Sequence, residues 1–141
     1  MDFMARHRQP LKLDKLWRLI GRLLVIAIII VSLIPNPQGI TPAFANSDKV
    51  GHLLAYTILM SWHALIYQRK EHVKLLLLFI MLGAALELVQ SITDYRSFEL
   101  LDMLANAGGV VAGWALGGTV YIRSLISFES WLVEKKVLKH G

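Results

Sequence analysis

The sequence predicts an all-α membrane protein: a bundle of about four transmembrane helices with both termini in the cytoplasm and a short amphipathic C-terminal helix on the cytoplasmic side. Two observations lead to this prediction. Apolar residues fall in blocks close to the ~20 residues that a helix needs to cross a bilayer, and positive residues alternate between rich and poor segments along the chain. With 55% hydrophobic residues in 141 and a mean hydropathy of +0.52, the chain is more apolar than a soluble domain needs. We therefore expect a single membrane domain over residues 1–141.

The apolar blocks are the predicted transmembrane helices. They lie at about residues 16–34, 50–67, 73–92 and 103–122. The first block closes at Pro35 and Pro37, and proline does not continue a helix. A cleaved signal peptide is the alternative for this block, because Ala43-Phe44-Ala45 has the A-x-A pattern of a cleavage site. The apolar core ends near Ile34, well upstream of that pattern, so we expect an intact chain.

The basic residues set the predicted orientation. Of the 15 Lys and Arg, Lys49 and Arg96 lie in the first and third connections, and the other 13 lie near the two termini or in the second connection. The positive-inside rule therefore places both termini and residues 69–74 in the cytoplasm, and residues 35–47 and 91–101 outside. The net charge of +5 then reflects orientation in a membrane, and we expect no nucleic-acid partner.

The C-terminal segment predicts the amphipathic helix. Tyr121, Leu125, Phe128 and Leu132 recur at helical spacing among charged residues, and Trp131 suits an anchor at the membrane interface. The alternative is a frayed extension of the fourth helix with a solvated basic end.

Polar residues at the predicted outer ends of the helices are the candidates for function. An ionisable side chain at the centre of a bilayer costs ~2.5–3.5 kcal/mol even on lenient scales, so each needs a partner or a role. The loop that precedes the fourth helix adds Asp94 and Glu99 to the acidic residues of this region. The candidate ligand-binding cluster comprises Asp48, Lys49, His52, Tyr56, Glu87, Gln90, Arg96, Asp102 and Asn106.

Structural explanations compete with function for these residues. Asp48 suits an N-cap, and Glu87 with Gln90, one turn apart, can bond to neighbouring helices. Asp102 can cap the fourth helix. The side that carries Asp102 and Asn106 continues through a small-xxx-small stripe, which favours close helix packing. The stripe comprises Gly109, Gly113 and Gly117.

Catalytic signatures are few. The chain has no cysteine, which excludes thiol catalysis and thiolate metal sites. It has no HExxH, no GxSxG and no phosphate-binding loop. The sequence therefore predicts no metal and no cofactor, and it leaves open whether the protein is an enzyme.

Taken in order, the polar motifs form a family pattern. D-K-x-x-H-x-x-x-Y from residue 48, E-x-x-Q from residue 87, Arg96, and D-x-x-x-N-x-x-G-x-x-x-G from residue 102 together resemble the VanZ-like family of small bacterial membrane proteins. The resemblance covers about residues 48–117. It implies a multi-pass protein of the bacterial inner membrane. The family is named for a protein associated with low-level resistance to the glycopeptide teicoplanin, and a housekeeping role in envelope or lipid biology is equally compatible.

The leading hypothesis is a binding role at the extracytoplasmic face. Lys49 and Arg96 would pair with an anionic lipid or a lipid-linked cell-wall phosphate, in a pocket between the second, third and fourth helices. Glu87, Asp102 and His52 would orient them or move protons. Membrane lipids are then the expected partners.

Two other classes of protein stay open. A membrane enzyme would use His52 with Glu87 as base and orienting group on a lipid-linked substrate, or would hold a divalent metal with Asp48, His52, Glu87 and Asp102. A structural partner subunit of a membrane complex would instead use the polar residues as an internal network that specifies packing.

Overall fold

The computed structural model describes residues 11–34, 47–93, 99–117 and 122–138, and every regular element in these ranges is a helix. In chain order the helices are α1 (Asp14–Leu33), α2 (Ser47–Ile66), α3 (Arg69–Ser91), α4 (Leu100–Gly117) and α5 (Ile122–Leu138). The all-α prediction is confirmed for this part of the chain. The A-x-A pattern at 43–45 lies outside the described residues.

Three of the described helices, α1, α3 and α4, are long and apolar enough to cross a membrane. Helix α2 is as long as α1, at 20 residues, but its polar residues lower its hydropathy. These are concentrated in its first two turns, where Asp48, Lys49 and His52 lie. The span predicted at 50–67 is therefore a helix of 20 residues that is less apolar than the other three.

Two helix boundaries differ from the prediction. Helix α3 begins at Arg69 rather than near residue 73, because the charged residues that precede the apolar block are good helix formers. His72, expected in a loop, consequently lies in the first turn of α3, where it is buried and its Nε2 is 3.1 Å from the Tyr67 carbonyl oxygen. Helix α4 ends at Gly117 rather than near residue 122, and α5 begins at Ile122.

The contacts between helices define two ends of the bundle. Trp62, late in α2, donates to the carbonyl of Trp17, early in α1, at 3.2 Å, so these two helices are antiparallel. Gln90, late in α3, donates to the carbonyl of Ser32, late in α1, at 2.6 Å, so α1 and α3 end together. We call the end with the C-termini of α1 and α3 and the N-termini of α2 and α4 the polar end, and the opposite end the basic end.

The core lies between α2, α3 and α4, and much of the apolar surface faces outward. Leu59, Met60, Phe79 and Val110 are buried at the centre of the bundle. Large apolar residues are exposed on the outer faces of α1, α3 and α4, among them Val31 and Met81. Exposed apolar area of this extent fits a lipid environment, since a soluble monomer rarely exposes large contiguous apolar patches.

Helices α2 and α4 run parallel and approach closely along the glycine stripe. A Cβ added at Gly109 would collide with the carbonyl oxygen of Leu53, and one added at Gly117 would lie 2.6 Å from that of Ser61. Gly109 contacts Leu53, and Gly117 contacts Ser61 further along both helices. The residue numbers therefore increase in the same direction, and the two helices are parallel. Glycine is needed at these positions because a side chain there would meet the backbone of α2 rather than a movable side chain.

Helix α5 packs against the start of α1 at the basic end. The Glu129 carboxylate accepts hydrogen bonds from the backbone N–H groups of Lys12 (3.0 Å) and Leu13 (2.7 Å) and from Nε1 of Trp17 (2.9 Å). Leu125 and Leu132 pack on the same apolar cluster, whereas Phe128 and Trp131 are exposed. The amphipathic helix is therefore joined to the bundle by a buried carboxylate.

Candidate polar site

The polar end brings acidic and amide side chains from three helices into the protein interior. Glu87 on α3 is 0% exposed and Asp102 on α4 is 1% exposed. Gln90, Asn106 and Tyr56 are also buried. Burying an ionised carboxylate is costly unless it is paired and hydrogen-bonded, so the contacts of these groups decide what the cluster can do.

Lys49 carries the positive charge at the mouth of the cluster. Its Nζ lies 2.7 Å from Glu99 Oε2, 3.1 Å from Asp48 Oδ2 and 3.5 Å from Asp102 Oδ1. The side chain of Lys49 is 20% exposed, while those of Asp48 and Glu99 are 41% and 44% exposed. The lysine therefore joins two solvent-accessible carboxylates to a buried one.

His52 lies about one turn after Lys49 on α2 and points towards α4. Its Nδ1 is 3.1 Å from Asn106 Oδ1, and its Nε2 is 3.7 Å from Asp102 Oδ2. An amide oxygen only accepts hydrogen bonds, so the proton of the neutral ring lies on Nδ1. This arrangement leaves the lone pair of Nε2 directed towards the carboxylate side of the cluster.

Glu87 reaches across from α3 to the start of α4. Its Oε1 accepts the backbone N–H of Glu99 at 3.0 Å, where a carboxylate is favoured by the exposed N–H groups of a helix N-terminus. Within the described part of the chain, Glu87 Oε2 and the Tyr56 hydroxyl are buried without a hydrogen-bond partner. Such orphaned groups are rare in proteins and call for an explanation.

Two of the buried amides have packing roles. Gln90 bonds to the carbonyl of Ser32 on α1 and so faces away from the other cluster residues. Asn106 packs on Gly83 of α3, where an added Cβ would lie 3.0 Å from the Cβ of Asn106. Gly83 thus makes room for the amide that orients His52.

Two groups of side chains have metal-ligand geometry. One ring nitrogen of His52 and one carboxylate oxygen each of Glu87 and Asp102 lie within 4.8 Å of one another, and the same holds for carboxylate oxygens of Asp48, Glu99 and Asp102. Asp102 belongs to both groups. The second group already surrounds Nζ of Lys49, whereas the first includes Glu87, whose Oε2 has no hydrogen-bond partner in the described residues.

The structure brings most of the predicted cluster together. Seven of its members meet between α2, α3 and α4, and Gln90 is displaced towards α1. Arg96 and its neighbour Asp94 lie outside the described residues. The seven are Asp48, Lys49, His52, Tyr56, Glu87, Asp102 and Asn106.

Sequence reasoning did not select Glu99, Gly83 or Glu129 as site residues. Glu99 directly precedes the apolar block of α4, and an acidic residue at that position is a recognisable start signal for a helix. Glu129 lies between Leu125 and Leu132 on one helical stripe, and a charge inside an apolar stripe indicates a buried partner. No sequence signal identifies Gly83, because its role depends on a neighbour 23 residues away, Asn106.

Glu129 is the buried acid at the basic end, and its environment changes its acidity. Burial acts to raise the pKa of this carboxyl, but the hydrogen bonds from Leu13, Trp17 and Lys12 outweigh burial and lower the pKa below its ordinary value. Glu129 is therefore ionised at neutral pH, which suits an acceptor of three hydrogen bonds.

A helical bundle with three helices able to cross a membrane, apolar outer faces and a buried polar cluster at one end is the arrangement of a helical membrane protein. The family model described as VanZ/LLP1 matches residues 11–121, and the chain belongs to this family. The match confirms the VanZ-like resemblance and extends it, since it includes α1, which precedes the residues 48–117 that carry the resemblance. No curated protein and no solved structure matches the chain.

Proposed function

We propose that this protein is a four-span protein of the bacterial cytoplasmic membrane that binds a phosphate-bearing lipid headgroup at its polar end. In this proposal α1 to α4 all cross the bilayer, both termini are cytoplasmic, and the polar end faces outside. The ligand is an anionic lipid or a lipid-linked cell-wall intermediate. The positive-inside distribution of basic residues supports the orientation.

The contacts of Lys49 carry this proposal. Two of its three carboxylate partners, Asp48 and Glu99, are more than 40% exposed. Exposed ion pairs contribute only about 0–1 kcal/mol each, because water and salt screen them. A phosphate oxygen can therefore replace one of these carboxylates on Nζ at little cost, and charge-assisted hydrogen bonds to phosphate are among the strong ones.

The depth of the cluster supports a headgroup rather than a soluble ligand. Lys49 lies in the first turn of α2, and Glu87 lies one helical turn before the end of α3. If these helices cross the bilayer, the polar groups lie at the level of the lipid headgroups. A lipid can present its phosphate there while its chains lie on the apolar outer faces of α1 and α3.

Native mass spectrometry of the detergent-purified protein tests the proposal. We expect a defined phosphate-bearing lipid to co-purify with the parent and to be lost from Lys49→Gln. Lys74→Gln is the matched control, because Lys74 also pairs with a glutamate, Glu71 at 3.7 Å, but at the basic end. Equal retention of lipid by both variants, or no bound lipid in the parent, would refute the proposed ligand.

A contribution to glycopeptide resistance belongs to the same proposal. If the ligand is a lipid-linked cell-wall intermediate, a cell that lacks the protein should show a changed sensitivity to teicoplanin. Expression of the parent should restore the original sensitivity, and Lys49→Gln should not. Restoration by Lys49→Gln would separate any such phenotype from headgroup binding.

A membrane enzyme that acts on a lipid-linked substrate is the second candidate. The observation that favours it is the approach of His52 Nε2 to Asp102 Oδ2 (3.7 Å) beside the buried Glu87. A histidine whose Nε2 faces carboxylates is a suitable general base. Release of a cleaved headgroup by the parent, and its loss in His52→Gln with lipid binding retained, would identify catalysis.

A purely structural role as a partner subunit is less well supported. A network that only specifies packing gains stability when every buried member is hydrogen-bonded. Glu87 Oε2 and the Tyr56 hydroxyl have no such partner in the described part of the chain, which favours a ligand.

A further inference from the structure

We infer that His52, Glu87 and Asp102 form a binding site for a divalent transition-metal ion of the Zn²⁺ or Mn²⁺ type. The site would lie between α2, α3 and α4, one helical turn deeper than Lys49. This inference goes beyond headgroup binding and does not depend on it, because the ligand atoms belong to the chain itself.

The spacing of the donor atoms is the first support. One donor atom from each of the three residues lies within 4.8 Å of the others. Two ligands about 2.1 Å from a tetrahedral ion are about 3.4 Å apart, and His52 Nε2 is already 3.7 Å from Asp102 Oδ2. The third donor, from Glu87, lies within 4.8 Å of the other two and would move closer on binding the ion.

The hydrogen bond between His52 and Asn106 is the second support. Because Nδ1 faces the Asn106 amide oxygen at 3.1 Å, the ring is held in the tautomer whose Nε2 can donate its lone pair to a metal. Metal-bound histidines in proteins nearly always hold their other ring nitrogen in this manner. Asn106 is therefore a positioning residue for the ion.

Glu87 provides an independent indication of a ligand. Its side chain is 0% exposed, its Oε1 is fixed by the Glu99 N–H, and its Oε2 has no hydrogen-bond partner among the described residues. A buried carboxylate oxygen without a donor is costly in free energy. A metal ion at the cluster would supply the missing contact.

The charge balance also favours a cation. In the described part of the cluster, Glu87 and Asp102 are buried carboxylates, Asp48 and Glu99 are partly exposed ones, and Lys49 is the only lysine or arginine. Uncompensated buried charge is strongly destabilising. The Asp48, Glu99 and Asp102 group is the less suitable metal site, because Lys49 Nζ already occupies its centre.

The donor types restrict the metal. Imidazole suits Zn²⁺ and the other later first-row ions, while carboxylates suit Mn²⁺ and Mg²⁺. One imidazole with two carboxylates fits a site with three protein ligands and an open fourth position, as catalytic zinc sites have. That open position would accept a phosphate oxygen if the proposed headgroup binds, and the positive charge of the ion would offset the negative charges of the carboxylates and the phosphate.

Metal titration of the full-length protein in detergent tests the inference, with a purification tag that contains no histidine. After treatment with a chelator, the protein is equilibrated with Zn²⁺ or Mn²⁺ alone, and bound metal is measured by mass spectrometry and by the Mn²⁺ electron paramagnetic resonance signal. We expect about one equivalent per chain in the parent and at least ~10-fold weaker binding in Glu87→Gln and in His52→Ala. Asn106→Ala should weaken binding by ~10–100-fold, as loss of a group that orients a metal ligand does.

Controls separate the site from adventitious binding and from misfolding. Glu71→Gln removes a carboxylate at the basic end and should bind metal like the parent. Size-exclusion elution and the tryptophan emission spectrum show which variants are folded. Less than about 0.1 equivalent in the folded parent, or unchanged binding in folded Glu87→Gln, overturns the inference.

Lipid retention measured in the same samples distinguishes this inference from the proposed function. A chelator-treated protein that keeps its lipid and binds no metal refutes the metal site alone. A protein that binds one metal ion and no lipid refutes headgroup binding alone.

Discussion

Gly113 of α4 lies directly against the backbone carbonyl oxygen of Thr57 on α2. A Cβ at position 113 would collide with that oxygen and would lie 2.9 Å from both the Met60 Cβ and the Ser61 amide nitrogen. The contact is therefore backbone to backbone, and no flexible side chain can move aside. This close approach fixes the separation of the two helices that hold His52 and Asn106 at hydrogen-bond distance.

Substitution of Gly113 should consequently destabilise the bundle. Gly113→Ala forces α2 and α4 apart, and we expect a loss of about 1–3 kcal/mol in the free energy of unfolding, as for other overpacked contacts. Gly113→Leu should lose more and lower the yield of folded protein. Thermal unfolding in detergent measures the difference.

Gly51 provides the matched control for this prediction. It also lies in a helix, but an added Cβ would have no atom within 4 Å. Gly51→Ala should therefore be neutral or more stable by up to about 1 kcal/mol, because alanine is the better helix former. If Gly113→Ala is as stable as Gly51→Ala, the close packing of α2 and α4 is wrong.

The helices were predictable from the sequence because block length and hydropathy are local properties. The structure confirms an all-helical chain, with α1 at Asp14–Leu33 against a predicted 16–34 and α2 at Ser47–Ile66 against 50–67. The largest errors occur at Arg69 and Gly117. At Arg69 the apolar window ends where charge begins, whereas the helix includes Arg, Lys and Glu, which have good helix propensity. At Gly117 the helix ends inside the apolar block, because glycine is apolar in such a window but has poor helix propensity.

The site was predictable in its members but not in its pairings. A buried acid or amide in an apolar block is visible in the sequence, so Glu87, Asp102 and Asn106 could be selected. The bond from Lys49 to Glu99, 50 residues apart, and the bond from Gln90 to Ser32, 58 apart, depend on how the helices cross. No local pattern contains that information.

Glu129 should anchor α5 to the bundle. In Glu129→Gln the amide oxygen can still accept from Leu13 and Trp17, but the NH₂ group in place of Oε2 cannot accept the hydrogen bond of the Lys12 N–H, and the negative charge is lost. A lost buried hydrogen bond costs about 1–3 kcal/mol, so α5 should detach while α2, α3 and α4 stay packed. Hydrogen exchange at the Lys12 and Leu13 amides reports the change, and Glu134→Gln, on the exposed side of α5, should leave exchange unaltered.

The docking of α5 should also depend on pH. The pKa of Glu129 is lower in the folded protein than its ordinary value of 4.5. Because the pKa is lowered, the contribution of the Glu129 carboxylate to the free energy of unfolding is fully present above about pH 4.5. It is lost as the pH falls through the pKa that Glu129 has in the folded protein. Tryptophan emission should therefore be constant from pH 7 to 5 and shift below that range as Trp17 becomes hydrated. The shift should be much smaller in Glu129→Gln, and an equal shift in that variant would assign the transition to another group.

The proposed orientation predicts opposite labelling of two introduced cysteines. The chain has no native cysteine, so each variant carries a single thiol. Gln68→Cys, between α2 and α3, should be protected from an impermeant maleimide on intact cells, and Gly39→Cys should react. Both should react after the cells are permeabilised. The reverse pattern on intact cells would place the polar end in the cytoplasm.

Glu87→Gln separates a functional role of the polar cluster from a structural one. Glutamine keeps the shape of glutamate and the acceptor for the Glu99 N–H, while it removes a buried charge whose Oε2 has no hydrogen-bond partner in the described residues. In the presence of a chelator we expect the variant to be as stable as the parent or more stable by about 1–3 kcal/mol, because an unpaired buried charge is costly.

Gln90→Leu, a buried neighbour one turn away, should instead be destabilised by about 1–3 kcal/mol, since it leaves the Ser32 carbonyl without its donor. Thermal unfolding of both variants beside the parent measures the difference. A strong loss of stability in Glu87→Gln would mean that the carboxylate is held by an ion pair that stabilises the bundle, and would favour a structural network over a binding site.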